Sequence, residues 1–428
     1  MKTNYILVGA FIALACFLSP LKAQVLIDGI AYDTITIRGT KVAQTVSLPK
    51  QGDTDVRYSQ ATIVIPASVE LYGTTYPVKK IGNNSMRNNN NLISITLPEG
   101  LEIIGNSSLA QCEALPSIVL PSTVNSIEDW AFYGDFALAS INIPNGVTTM
   151  TEHTYQQCKS LTSIQLPPSV TSIKVCAFQD CAKLASINLE NITEIVAWSL
   201  YGTALSSANI SNVLSIGDCA FAKIPTLTNV ELNNVGEIGD WCFQDCANLT
   251  SVNLNGTELI QSGAFSGCTL LTSITLPTSV AFIANWSFEK TGITKIYASW
   301  NDPLADVIIE ENAFGTGDGK INFSWYVPES VFYNWADFFM GYLVNLTDVN
   351  AVENQKIGNY NVSYNSGILN ITNLDGYQTS IMTVDGRSIS NFVVDGNDYK
   401  TGLKLNNGIY ILNATNGNGR AVAKFIVK

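Results

Sequence analysis

Charge is scarce in this sequence. Only 14% of its 428 residues are Asp, Glu, Lys or Arg, and together they leave a net charge of −12. An acidic chain with no Lys/Arg cluster is a poor match for nucleic acid or an anionic membrane, so neither is expected as a main partner. Histidine is scarcer still, with the single copy His153. That excludes His-rich metal clusters and most His-based acid/base chemistry, although a carboxylate-only enzyme would pass the same test. Long apolar runs are missing beyond the N-terminus, so the mature chain is expected to have no transmembrane span.

The one apolar run, ILVGAFIALACFLS at 6–19, follows Met1-Lys2 and precedes Pro20-Leu21-Lys22-Ala23. It is shorter than a membrane span, has a positive start and ends on a small residue. These features predict a secretory signal peptide over 1–23, cut after Ala23. A lipoprotein signal ending at Cys16 fits less well, because Ala13-Leu14-Ala15 puts alanine where that motif usually wants leucine.

What the chain has in quantity is repetition. AFQDCAKLASINL (177–189) returns almost unchanged as CFQDCANLTSVNL (242–254). Further copies open on Ile81, Ile104, Ile127, Met150, Ile173, Ile195, Ile216, Ile238, Ile260, Ile283 and Ile309, at steps of 23, 23, 23, 23, 22, 21, 22, 22, 23 and 26. A near-constant period of this size belongs to stacked solenoids.

Each copy has two hydrophobic rhythms. With the opening residue counted as step 0, Ile260, Ala264, Phe265, Cys268 and Leu271 fall at steps 0, 4, 5, 8 and 11. That stripe predicts a helical part, kept short by Gly263 and Gly267. Ile274 and Leu276 then alternate with Ser273 and Thr275, as in a strand with one buried face, and Pro277 stops it. Neither half can bury its apolar side alone. Stacking is expected to bury it and to form a parallel sheet on one side, an α/β solenoid.

The consensus IxxxAFxxCxxLxSIxLPxSV resembles the repeat of the BspA-like leucine-rich repeat family of bacterial surface proteins, with about 11 copies over 81–327. IDGIAYDTITIRG (27–39) and ATIVIPASVELYGTTYPVKKIG (61–82) resemble the family's opening segment, which makes 24–80 an N-terminal cap with Ile63-Val64-Ile65-Pro66 as a first strand. The resemblance implies a right-handed leucine-rich repeat coil displayed outside the cell. It implies host-matrix proteins, host cells or other microbes as partners. The copies at Ile195, where Ala208 replaces the strand isoleucine, and at Ile309 fit worst, and a kink or an end is expected there.

A stack needs caps at both ends. PESVFYNWADFFMGYL (328–343) carries Phe332, Trp335, Phe338 and Phe339 at helical spacing, so 328–351 reads as C-terminal cap and linker. From 352 to 428, alternating apolar and polar residues broken by Asp-Gly and Asn-Gly turns predict a small all-β, Ig-like sandwich. MTVDGRSI, LNNGIYIL and the final lysine resemble the C-terminal sorting domain of type IX secretion substrates in Gram-negative bacteria. That resemblance implies recognition by outer-membrane secretion machinery and a location that is secreted or attached to the outer surface.

Two sets of residues are candidate ligand contacts. The outward strand positions are Ser94, Ser117, Ser140, Ser163, Ser186, Ser207, Asn229, Ser251 and Ser273, with a second column that includes Asn142, Gln165, Asn188, Asn209 and Asn253. This hydroxyl- and amide-rich face could bind a glycan; equally, its side chains could bond to one another along the sheet. It has no aromatic before Tyr297. Step 3 is the other set: Trp130, Trp198, Trp241 and Trp286, four of the seven tryptophans, share it with His153 and with Cys176 and Cys219. At 100° per residue it lies on the shoulder of the buried stripe, half wet, where an indole can stack on a sugar or fill a partner's pocket, or else brace neighbouring coils.

Eight cysteines remain after the signal peptide. Cys112, Cys158, Cys181, Cys246 and Cys268 share step 8, inside the stripe; disulfides between adjacent coils are conceivable, and buried thiols are the simpler reading. His153 and Cys158 lack further ligands or catalytic neighbours. GTGDGK (315–320) has the wrong spacing for a phosphate loop. No cofactor or metal is expected and no catalytic set converges. The sequence reads as a non-catalytic, adhesin-like binding scaffold for surface proteins or, alternatively, for polysaccharide.

Overall fold

A computed structural model describes residues 24–48, 57–315, 324–327, 361–365, 367–383, 388–406, 408–416 and 419–427. The expected signal peptide (1–23) and aromatic cap (328–351) lie outside the described residues. The chain divides after Ile293 into two compact units; the first takes back the segment starting at Ile309, and the second holds Thr294–Ile308 and the C-terminal strands.

The first unit opens with antiparallel strands Val25–Ile27, Ile30–Ile37 and Thr40–Val46. A further hairpin joins Ser68–Leu71 to Thr74–Ile81. All three two-residue turns, Asp28-Gly29, Arg38-Gly39 and Tyr72-Gly73, hold φ > 0 at both residues, the mirror-image turn geometry that matches strand twist. Tyr58 pins this cap: its hydroxyl donates to the Val46 carbonyl (2.6 Å) and accepts the Ala31 N–H (2.9 Å). Thr40–Val46 then pairs in parallel with Thr74–Ile81, which pairs with Ile103–Ile104. The cap therefore hands its sheet directly to the coils.

The coils form a solenoid of about ten turns with parallel sheets. One ladder is the expected one. Thr62–Val64 pairs with Ser94–Thr96, Ser117 with Ser140, Ser163 with Ser186, Ser207–Asn209 with Asn229–Glu231, and Asn229–Glu231 in turn with Ser251–Asn253. One of its breaks falls between Ile187 and Ser207, beside the Ala208 coil. A second, unexpected ladder runs beside it. The opening residues and their predecessors form parallel pairs, Thr149–Met150 with Ser172–Ile173 and onward to Leu259–Ile260 with Phe282–Ile283. The signal was present, since a polar residue stands before the buried one in Ser126-Ile127, Ser172-Ile173, Ser215-Ile216 and Glu237-Ile238.

The half of each coil expected to be helical forms turns instead. Among the described residues the only α-helix is Pro303–Asp306, and steps 2 to 7 are a run of turns. Backbone φ is positive at step 3 (Trp130 61°, Trp198 62°, Trp241 55°) and again at step 7 (Gln157 64°, Asp180 58°, Asp245 57°). Left-handed residues every four positions cannot continue a right-handed helix. Donors at odd steps instead reach the next coil: Trp130 N–H to Glu152 O (3.0 Å), Phe132 to Thr154 (3.0 Å), Gly134 to Gln156 (2.9 Å). Even steps turn back, as with Tyr133 N–H to Trp130 O (3.1 Å). A helix would spend all of these bonds internally, whereas this turn ladder satisfies the backbone and ties coil to coil.

Step 5 forms a stacked aromatic spine. Phe132, Tyr155 and Phe178 lie 5.5 and 5.4 Å apart with rings within 9° of parallel. Phe221, Phe243, Phe265, Phe288 and Phe314 continue it at 4.9–5.4 Å. Leu200 interrupts it, again in the Ile195 coil. Burying each ring contributes about 2–3 kcal/mol. At step 8 the thiols are free and buried, and each donates to the step-5 carbonyl of the preceding coil: Cys112 to Met86 (3.3 Å), Cys158 to Phe132 (3.2 Å), Cys181 to Tyr155 (3.0 Å), Cys246 to Phe221 (3.1 Å), Cys268 to Phe243 (3.2 Å).

In the second unit, Lys295–Ala298 pairs in parallel with Ser324–Tyr326. The C-terminal strands form two antiparallel sheets: Asn361–Asn365, Ile368–Thr372 and Asp398–Gly402 in one, Ser388–Val393, Gln378–Thr383, Gly408–Asn416 and Gly419–Val427 in the other. They share a core of Leu369, Ile371, Leu374, Ile381, Val394, Tyr410, Leu412 and Ala414, so the expected small all-β domain is present.

Candidate functional site

On the strand face several outward Asn side chains, and Ser251, bond along the stack. The Asn142 amide spans the backbone of the preceding coil, accepting Leu120 N–H (2.8 Å) and donating to Leu120 O (2.9 Å); Asn188 does the same to Leu166 (2.7 and 2.9 Å). Asn253 donates to Glu231 (3.2 Å) and Asn233 (3.0 Å), and Ser251 to Asn229 (2.8 Å). Asn209 caps its own turn through Ser211 (2.7 Å), and Gln165 is exposed. Most of the amides proposed as ligand contacts are thus engaged in holding coils together. Tyr297 belongs to the second unit, where its ring, 40% exposed, stacks on Tyr326 at 4.9 Å.

The turn-ladder face differs. Its step-3 residues stand on left-handed backbone, and the tryptophans among them reach the surface: Trp198 is 38% and Trp286 44% exposed, with Trp130 and Trp241 half-buried. Trp130 stacks on His153 (3.8 Å, 14°) and meets Tyr133 edge-on (5.0 Å, 67°). Trp198 meets Tyr201 at 5.0 Å, and Lys223 lies 5.5 Å from the Tyr201 ring centre. Trp241 and Trp286 run nearly parallel, 6.4 Å and 18° apart, across Gly263. Large and small residues alternate along the column, and Cys176 and Cys219 are buried within it. Burial pushes the Cys176 thiol up to about 11.

The face therefore carries a discontinuous ridge of aromatic rings at steps 3 and 6. The sequence reading found the tryptophans and missed Tyr133 and Tyr201, for which the W-x-x-Y spacing in WAFY and WSLY was the available signal. His153 and Cys158 do not form a pair: His153 Nδ1 bonds Gln156 Oε1 (2.8 Å), and the Cys158 thiol donates to Phe132. Among the described residues no group of three His, Cys, Asp or Glu side chains comes together as a metal site. None of their helices is long and apolar enough to cross a membrane.

The BspA type leucine rich repeat region matches this sequence over residues 79–205 and 193–316, in 6 copies, more than half of the chain. The chain belongs to the BspA-type leucine-rich repeat family. Proteins of this family are typically non-catalytic repeat scaffolds found at the cell surface or secreted. Solved structures similar to it include a leucine-rich repeat protein from Bacteroides ovatus, at 20% identity over 71% of this chain and 89% of that one (TM-score 0.47). A leucine rich cell surface protein from Faecalibacterium prausnitzii matches at 20% over 74% and 97% (TM-score 0.41). The T. pallidum leucine rich repeat protein TpLRR matches at 21% over 56% and 87% (TM-score 0.32). A comparison with curated protein sequences found no match.

Proposed function

We propose that this protein is an adhesin-like binding scaffold, secreted or held on the outer surface of a Gram-negative bacterium, which engages host or microbial surface proteins without transforming them. The supporting observation is the ridge of half-exposed aromatic side chains on the turn-ladder face. Aromatic rings fixed on a rigid coil supply contact area at little cost in side-chain entropy, which is what hot spots of recognition require. In this reading 24–80 caps the stack, 81–327 presents the ligand face, 328–351 closes it, and 352–428 is a type IX sorting domain addressed to the outer-membrane secretion machinery. The antiparallel strand pairing of that last segment supports the assignment.

A second reading, binding of polysaccharide, is favoured by the flat ring faces of Trp198 and Trp286, since sugars stack on indoles. An array carrying extracellular-matrix proteins and glycans separates the two. Retention on matrix proteins alone supports the first. Sugar binding that is lost in Trp198→Ala and Trp241→Ala supports the second.

A further inference from the structure

The step-3 column has one vacant rung. Further along the column the Trp241 ring lies over the small residue that follows it, Gly263. Near the N-terminal end the column runs Asn84, Ser107, Trp130. Asn84 has no ring to lay over Ser107, and Trp130 turns towards His153, on which it stacks at 3.8 Å. The other face of the Trp130 indole is thereby left towards the preceding coil, whose side chains at steps 3 and 6 are the small Ser107 and Ala110. The result is a cleft of about 480 Å³ lined by Asn84, Arg87, Asn106, Ser107, Ala110, Trp130 and Tyr133. That size lies within the roughly 300–1,000 Å³ of small-ligand sites.

Chemistry differs between its walls. Ser107 and Ala110, 8% and 1% exposed, make a buried floor. Trp130 and Tyr133 form an aromatic wall in T-shaped contact. Opposite stand Asn84 and the guanidinium of Arg87. Arg87 has no ion pair among the described residues, although the chain as a whole has 35 acidic residues against 23 basic ones. Asn106 accepts the Ser107 hydroxyl (3.0 Å) on its side-chain oxygen, leaving its amide N–H groups to spare. No carboxylate is among the lining residues; Glu128 accepts the Asn106 backbone N–H (2.8 Å) and is neutralised by Lys80 (2.8 Å), and Asp129 accepts Glu152 N–H of the following coil (3.2 Å). Arg87 and Trp130 are two coils apart, about 10 Å at the usual strand spacing.

We propose that this cleft is a subsite for an acidic sugar residue, a uronate or a sialate, within a surface glycan. The pyranose ring stacks on Trp130, its carboxylate takes the two-pronged guanidinium of Arg87, and its hydroxyls meet the amides of Asn84 and Asn106. A phosphate would call for more than one cation, and a neutral sugar would leave Arg87 unused. The inference rests on the polysaccharide reading above and names the sugar class and the place.

Titration of the full chain with trigalacturonate and with sialyllactose, against galactotriose and lactose as neutral counterparts, tests it by calorimetry and tryptophan fluorescence. Binding of at least one acidic saccharide is expected, at least tenfold tighter than its neutral counterpart, and which of the two binds identifies the source. Arg87→Ala should weaken it about tenfold or more. Ser107→Trp, which fills the vacant rung with a side chain that the column already accepts on the same backbone, should abolish it while leaving the melting temperature in place. Equal binding of acidic and neutral sugars, lost in Trp241→Ala and unaffected by Ser107→Trp, would keep sugar recognition and overturn the subsite. Absence of any saccharide binding by a chain that still holds matrix proteins would overturn the subsite and the polysaccharide reading together.

Discussion

The Trp241 indole lies flat over Gly263 of the next coil, so that a Cβ at Gly263 would come within 2.2 Å of Trp241 Cε3. Gly263 also holds φ at +64°, a conformation that costs little for glycine alone. Gly263→Ala should therefore destabilise the protein by about 3 kcal/mol, read as a lower denaturation midpoint. In the Trp241→Ala background the same substitution should cost only about 1 kcal/mol, the share due to φ. Equal costs in both backgrounds would show that the indole does not lie there.

Tyr155 sits in the aromatic spine between Phe132 and Phe178, fully buried, and its hydroxyl has no hydrogen-bond partner. Neighbouring coils use phenylalanine at the same step. Tyr155→Phe removes an unsatisfied polar group and keeps the stack, so a gain of about 1 kcal/mol is expected from urea denaturation. A loss would mean that the hydroxyl is bonded in solution.

Asp135 occupies step 8, where most other coils place cysteine or threonine and two place Asn89 and Ile224. Its Oδ1 accepts the Cys112 N–H (2.8 Å), Oδ2 is buried without a partner, and burial raises its carboxyl well above the usual carboxylate range. The folded chain therefore holds this proton more tightly than the unfolded chain. Its contribution to stability is complete below the unfolded value of about 4 and is lost as pH rises towards the folded value. The melting temperature should fall over that rise, and Asp135→Asn should flatten the profile. An unchanged slope in the variant would assign the pH dependence elsewhere.

Burial pushes every step-8 thiol up, Cys246 to about 12, so thiolate is scarce at neutral pH. A thiol reagent should label the folded protein slowly and all eight described cysteines after denaturation. Reductant should leave the melting temperature where it is. Rapid labelling, or fewer than eight thiols on unfolding, would point to exposed or paired cysteines.

The period, the strand at steps 13 to 15 and the buried identities at steps 0, 4, 5 and 8 were all legible because burial in a stack repeats residue by residue. The turn ladder was not, because steps 0, 4, 5, 8 and 11 suit a helix equally well. What decides between them is backbone handedness. Its traces were the glycines and Asn or Asp at steps 3 and 7, such as Asn84, Asn88, Gly134, Gly202, Gly263 and Gly267, scattered among bulky residues that adopt the same φ. The cleft beside Trp130 was illegible for a related reason. It comes from what Asn84 and Ser107 leave unfilled, and a missing rung has no motif.

Recognition without turnover is the claim on which the functional account depends. The most direct measurement exposes the purified full chain to immobilised matrix proteins and surface glycans, then recovers bound and unbound ligand for mass spectrometry. Saturable retention with every ligand mass unchanged is the predicted result. Ligand released as shorter fragments, in amounts that grow with time and exceed the protein present, would contradict it.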